Sequence, residues 1–327
     1  MDFIDTIDKL GLKANSAKNY VRSLTRLQKL YEMPLTQAIS EDSELTTFNK
    51  LFDGKSHHTK KSYLVAVHAF ICGKKHGNGA ECDNVHAAPF HKAMGLINEG
   101  IIKINEKQTK TPKQADNWAT IDELKGLMLK YEAESQGLLS KDEVSMKEII
   151  EFQKYVIMSL YLGDDANPPI RSEYGDMIVA FKKDKPTLST DKNYLLVTGP
   201  RKKEFILNDY KTSETYGKKT FKVGKSLNKV LNNWLKIVEH QTGDPLLLKP
   251  TGGVLGRNGL SKMLMLITNP LGKRISVQML RHIFISENIK QPTLTAKKAL
   301  ADKMCHSVSV QEVYIKSGEP SISDVGC

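Results

Sequence analysis

One stretch of this sequence divides it more sharply than any other. Residues 104 to 117 are polar, rich in lysine and interrupted by Pro112, and no apolar residue recurs there at helix or strand spacing. Such a run has nothing to bury, so it reads as an exposed linker. On either side lie stretches with strong apolar periodicity, each long enough for its own core in a chain of 327 residues. The expected organisation is an N-terminal domain over 1–105, a linker over 106–117 and a larger domain over 118–327.

The first hundred residues read as helices joined by short polar loops. The clearest spans Ser16 to Glu32, where Tyr20, Leu24, Leu27 and Tyr31 recur at helical spacing behind an Asn15/Ser16 cap. Its other face carries Lys18, Arg22, Arg26 and Lys29. A second helix is predicted from Thr59 to about His76, with Tyr63, Val67 and Phe70 on one side and Lys60 and Lys61 near its start. Basic faces of this kind are either solvated surface or contacts for a polyanion. Beyond the linker, helical patterns at Ile121 to Glu134 and Val144 to Leu162 precede four β-rich runs, Met177 to Phe181, Tyr194 to Thr198, Glu204 to Asn208 and Thr220 to Val223. Helical patterns return at Ser226 to Glu239, Arg257 to Ile267 and Ser276 to Asn288, with turn signals at Gly252-Gly253 and Asn269-Pro270. The fold class is therefore mostly α with a small antiparallel β-sheet, an α+β arrangement.

Charge is concentrated rather than spread. Residues 201 to 300 hold 19 lysines and arginines against 6 acidic residues, a surplus larger than the +11 of the whole chain. A basic region of that density suits a polyanionic partner. Cys72, Cys82, Cys305 and Cys327 show neither C-x-x-C spacing nor the density of a disulfide scaffold, so free thiols in a reducing compartment and no structural zinc are expected. No run approaches a membrane span, and the start, with Asp2, Asp5 and Asp8, is unlike a signal peptide, which points to an intracellular protein, in cytoplasm or nucleus. Walker, G-x-G-x-x-G and H-E-x-x-H patterns are missing, so no nucleotide, metal or other cofactor is expected. His57, His58 and His76 read as surface, Trp118 and Trp234 as core, and Cys305 as a small residue packing a helix end.

A sparse set of cations and one tyrosine remains. Pro168-Pro169-Ile170-Arg171 sets an arginine after a rigid loop at the end of an apolar helix. In the segment 276 to 286, Gln278, Arg281 and His282 share one helix face while Val277, Leu280 and Phe284 turn to a core. His306-Ser307 and Tyr314 stand either side of a short turn near the C-terminus. In that order and at these distances, Arg171, Leu280-Arg281-His282, His306-Ser307 and Tyr314 resemble the motif set of the tyrosine recombinase, or phage integrase, family. The resemblance runs from about Trp118 to Lys316, and the helices before it look like that family's core-binding domain.

The resemblance implies a site-specific DNA recombinase or integrase, a divergent viral or mobile-element member of the family, that cleaves and rejoins DNA through a 3′-phosphotyrosine intermediate. Tyr314 would be the nucleophile, with Arg171 and Arg281 on the phosphate and His306 as a further donor. Lys211, in a strand-turn-strand reading of Phe205 to Val223, would be the general acid, with Lys218 and Lys219 as competitors for that role. Lys18, Arg22, Arg26, Lys60, Lys61, Arg201, Lys202, Lys218 and Lys219 are the expected DNA contacts. Two guanidiniums suit the charge that builds on two non-bridging phosphate oxygens, and a bond kept as phosphotyrosine needs no ATP. Three departures stand out: Gln278 sits where most of the family has histidine or lysine, Tyr174 where an acidic residue is common, leaving Glu173 or Asp176 to orient Arg171, and the interval from His306 to Tyr314 is one residue shorter than in many members. The resemblance further implies a C-shaped clamp on duplex DNA and a homo-tetramer on two sites. A type I topoisomerase of the same chemistry, and a catalytically silent DNA-binding protein on this fold, are the alternatives.

Overall fold

The computed structural model describes residues 3–74, 82, 84–163, 169–288 and 293–318. These separate into two compact units, one through Thr109 and one from Lys110.

The first unit is helical: α1 (Phe3–Asp8), α2 (Ala14–Tyr31), α3 (Leu35–Glu41), α4 (Thr46–Leu51), α5 (His57–Cys72) and α6 (Ala88–Glu106). Its core gathers Leu24 and Leu27 of α2, Phe48 of α4, Leu64, Val67 and Phe70 of α5, and Phe90 and Met94 of α6. The apolar stripe of α2 faces that core and leaves Lys18, Arg22 and Arg26 exposed on the other side. The start of α2 differs from the reading above: Lys13, not Asn15 or Ser16, is the cap residue, and no side chain caps it. Helix α5 begins at His57 because the Ser56 hydroxyl accepts from Thr59 N at 3.2 Å. It ends at Cys72 because Gly73 turns left-handed, with φ 58°. The expected end at His76 lies outside the described residues. His57 is half-buried against Gly100 rather than on the open surface. Cys72 and Cys82 are joined in a disulfide, against the expectation of free thiols. Their separation of 10 residues matches no sequence pattern; folding brings them together.

The second unit opens with α7 (Pro112–Asp116), α8 (Ile121–Ser135) and α9 (Met146–Leu162). Each starts at a reciprocal cap, Thr111 with Gln114, Thr120 with Glu123 and Ser145 with Glu148. The stretch read as linker thus carries the last turn of α6 and the short capped helix α7. A sheet of β1 (Ile178–Phe181), β2 (Tyr194–Gly199), β3 (Lys202–Leu207) and β4 (Lys219–Lys222) follows in that spatial order, with α10 (Ser213–Tyr216) between β3 and β4. The sheet is mixed, which corrects the all-antiparallel expectation: β1 runs parallel to β2, and β2–β3 and β3–β4 are antiparallel. Between β1 and β2 the chain does not hairpin; it passes through a 3-10 turn, Lys182–Thr187, and returns to the same end of the sheet.

Helices α11 (Lys225–Ile237), α12 (Arg257–Ile267), α13 (Val277–Asn288), α14 (Leu294–Lys303) and α15 (Val308–Tyr314) complete the unit. Its core joins Phe152 and Tyr161 of α9, Phe205 of β3, Trp234 of α11 and Ile283 of α13. The Trp234 indole is satisfied by the Leu246 carbonyl at 2.8 Å, and Trp118 packs at the margin. One glycine is obligatory: a Cβ on Gly175 would lie 2.5 Å from the Gly256 carbonyl oxygen. Gly175 therefore lets the turn that follows Arg171 dock on the start of α12. The fold is mostly helical α+β, and among the described residues no helix is long and apolar enough to cross a membrane.

Candidate active site

Five of the side chains singled out in the sequence, Gln278, Arg281, His282, His306 and Tyr314, meet around the end of α15. Arg281, on the inner face of α13, is fully buried. One terminal nitrogen donates to the Pro169 carbonyl, and the other lies 3.4 Å from His306 Nδ1. Its guanidinium sits 5.0 Å above the Tyr314 ring. The Tyr314 hydroxyl donates to Gln278 Oε1 at 3.4 Å, and the His306 and Tyr314 rings are 5.5 Å apart. Gln278 itself is exposed and Tyr314 is buried, so the phenol oxygen lies where the core gives way to solvent.

Local structure explains how His306 and Tyr314 are held. Helix α14 ends in a Schellman motif: His306 N bonds Ala301 O at 3.1 Å and Cys305 N bonds Asp302 O at 3.1 Å. Cys305 occupies the left-handed position, φ 56°, that glycine usually fills, and is buried as a helix-end packing residue. Ser307 then caps α15, its hydroxyl accepting from Val310 N at 3.3 Å. His306 is pinned between a helix stop and a helix start. The short turn expected between His306 and Tyr314 is in fact the seven-residue helix α15. His282 fixes the far end of α15 by donating Nδ1–H to the Tyr314 carbonyl at 2.9 Å.

Arg171 lies on the extended segment between α9 and β1 and is half-buried. Its carbonyl takes the Tyr161 hydroxyl at 2.9 Å, and two residues earlier Pro169 takes Arg281, so both arginines are tied to one strand of chain. Asp176 does not orient Arg171: it binds Arg257 Nε at 2.6 Å, and Asp209 binds the same guanidinium at 2.7 Å. Tyr174 is core, edge-on to Tyr161 and Phe205. Glu173 is the carboxylate buried beside the cluster; burial raises its pKa, against the pull of Arg257, Arg171 and Arg281. Arg257 carried no signal in the sequence beyond its place in a basic region.

The cations set the protonation states. Burial, then Arg281 and Arg171, push His306 down to about 3, so its imidazole is neutral at physiological pH. A guanidinium can only donate, so His306 Nδ1 accepts from Arg281 and the ring proton sits on Nε2. Burial works to raise the Tyr314 phenol, but Arg281, Arg171 and Gln278 outweigh it and hold it below the ordinary tyrosine value. His306 Nε2 and Arg281 Nε are buried donors with no partner among the described residues. Both are N–H donors that belong to side chains packed against the Tyr314 ring.

The neutral histidines predict acid sensitivity. His306 is held at about 3 and His282, mainly by burial, at about 4, both below the ordinary 6.5. As pH falls below that ordinary value, the unfolded chain takes up protons the folded chain refuses, so stability falls with pH. The urea midpoint of unfolding should be lower at about pH 5 than at about pH 7, and the difference smaller in His282→Asn, whose amide can still donate to Tyr314.

The remaining sequence candidates are not in the cluster. Lys211 is exposed on the connection after β3, although its neighbour Thr212 bonds the Cys305 carbonyl at 2.8 Å, one residue from His306. Lys218 is exposed, and Lys219 pairs with Asp302 at 2.5 Å. Arg201 and Lys202 are exposed at the tight β2–β3 turn. That turn is pinned from beneath by buried Lys203, which bonds Asn228 at 2.9 Å and is lowered by burial to about 8. Lys60 and Lys61 are half-buried near the start of α5 in the first unit.

The chain matches no protein-family model and no curated protein sequence. Among solved structures it is similar to the crystal structure of XerA recombinase, at 13% identity and a TM-score of 0.39 over 99% of this chain and 94% of that one. A likeness that faint supports no reading of the site, which rests on the geometry above.

Proposed function

We propose that this chain is a DNA strand-breaking and rejoining enzyme, a recombinase that uses Tyr314 as its nucleophile. The observation that carries the reading is the Tyr314 phenol, lowered by buried Arg281 and flanked by unpartnered donors on Arg281 and His306. A phosphodiester is the anion this arrangement suits. Attack by the phenol oxygen, whose proton passes to solvent past exposed Gln278, forms the Tyr314 oxygen–phosphorus bond and breaks the phosphorus–5′-oxygen bond. Arg171, Arg281 and His306 Nε2–H meet the charge that builds on the non-bridging oxygens. The 5′ oxygen takes a proton from a lysine of the basic region, Lys211 being the first candidate. A 5′ hydroxyl attacking the phosphotyrosine reverses the step and joins a new partner strand without a cofactor. The 1–105 domain and the exposed basic residues named above would hold duplex DNA as non-specific phosphate contacts, and a tetramer on two sites would perform exchange.

The test is to incubate the protein with supercoiled and nicked DNA, quench with detergent and look for a covalent adduct by gel. An adduct with strand transfer supports the reading; an adduct with relaxation alone would make it a topoisomerase; tight binding without adduct on nicked suicide substrates would leave a silent DNA-binding protein. Gln278 adds a second prediction. It can accept the phenol's hydrogen bond but not its proton. Gln278→His should raise the adduct rate near neutral pH, by about tenfold or more if a base at that position is limiting, measured in single turnover.

A further inference from the structure

The corner between α5 and α6 holds a set of side chains that the proposed chemistry does not use. His68 and Cys72 are one helical turn apart on α5 and so lie on the same face. Cys82 is brought to them just before Asn84 caps the turn Val85–Ala87 that leads into α6. His68 Nε2 and the two sulfurs all lie within 4.8 Å of one another, and His68 is buried.

We propose that His68 Nε2, Cys72 Sγ and Cys82 Sγ, once the disulfide is reduced, form a binding site for Zn²⁺. The donor set selects the ion: two thiolates and an imidazole suit zinc, while magnesium and calcium take oxygen ligands. The distances agree with it. A tetrahedral ion with zinc–sulfur bonds of about 2.3 Å and zinc–nitrogen bonds of about 2.0 Å places those ligands about 3.5 Å apart. His68 Nε2 and Cys72 Sγ already stand 3.6 Å apart, so α5 presents two ligands without moving. The sulfurs need only part to about 3.8 Å, the span of two thiolates on one zinc. Three protein ligands leave the fourth position to solvent.

Disulfide and metal exclude each other because both use the same sulfurs. Two equivalents of a thiol reductant, itself oxidised to a disulfide, convert the Cys72–Cys82 bond to two thiols, and Zn²⁺ then displaces both thiol protons. Either form staples the C-terminal end of α5 to the approach to α6, so the corner stays closed in oxidising and in reducing surroundings. The sequence hides this site, since H-x3-C followed by nine residues and a second cysteine matches no zinc motif.

Cobalt(II) is the probe. The full chain is reduced with a phosphine, its free thiols are counted under denaturing conditions to establish that the disulfide is open, and Co²⁺ is titrated without oxygen. The expected result is one Co²⁺ per chain, with an intense thiolate-to-cobalt band and the visible bands of a tetrahedral ion, displaced by Zn²⁺. Cys72→Ser and Cys82→Ser should each lose the band, His68→Ala should weaken binding about tenfold or more, and Cys305→Ser should leave it unchanged. A fully reduced chain with no thiolate band overturns the proposal. So does a band that survives Cys72→Ser, or one indifferent to His68→Ala.

Discussion

Tyr314→Phe is expected to abolish the covalent protein–DNA adduct while leaving the fold and DNA binding in place. The substitution removes one oxygen. That oxygen's hydrogen bond to exposed Gln278 is a long one, 3.4 Å, and buried Arg281, which also interacts with the phenol, keeps its bonds to the Pro169 carbonyl and His306. The ring stays between Arg281, His282 and His306, where its packing holds the end of α15. Phenylalanine has no nucleophile, so the adduct falls to background, a loss on the order of 10⁴-fold or more when a sole nucleophile is deleted. Binding measured by gel shift or fluorescence anisotropy should stay within about twofold, because affinity for duplex comes from many phosphate contacts. An adduct that persists in Tyr314→Phe would move the nucleophile elsewhere and sink the proposed mechanism.

Much of this fold was legible because its local signals are strong. Helix α12 spans the same Arg257–Ile267 that its periodicity marks, and α8 and α9 start within two residues of where their patterns do. What was hidden depends on contacts distant in sequence. Nothing in strand patterning says that β1 and β2 run parallel, since alternation reports which face is buried and not which neighbour pairs. Helix α15 was hidden for a different reason: Val308, Val310 and Val313 are β-branched residues that favour strands. Only the Ser307 cap and packing against α13 and α14 make the segment helical. Arg257 opens a helix, an end that disfavours cations, so its position argues against a role until Asp176 and Asp209 are seen to compensate it.

The candidate site divides the same way. Residue types and their order single out Arg281, His306 and Tyr314, but only tertiary structure supplies the Schellman turn that aims His306 and the burial that keeps it neutral. Lys211 illustrates the limit from the other side. In a basic run, spacing cannot tell which lysine reaches a reacting oxygen, and Lys211 stands exposed while Lys203 is buried under the neighbouring turn.

Arg281→Lys should separate the reading of this cluster as a phosphate-cleaving site from one in which Arg281 is merely a buried structural cation. Lysine keeps the charge but is a single point donor on a flexible stem. It cannot bond the Pro169 carbonyl and meet His306 Nδ1 at once while keeping a further N–H, as the planar guanidinium does. Adduct formation should fall on the order of 10²–10³-fold, the cost of losing an oriented donor to a developing oxyanion. The pH profile carries a second signature. Arg281 contributes most to holding the Tyr314 phenol below its ordinary value, so a displaced charge lets burial raise that phenol. The single-turnover rate of Arg281→Lys should therefore climb toward higher pH than wild type does. A purely structural arginine would instead lower the urea midpoint and leave the rate of the folded fraction within about threefold, with an unshifted profile. Comparing rate, profile and midpoint on one nicked substrate assigns Arg281 to chemistry or to scaffolding.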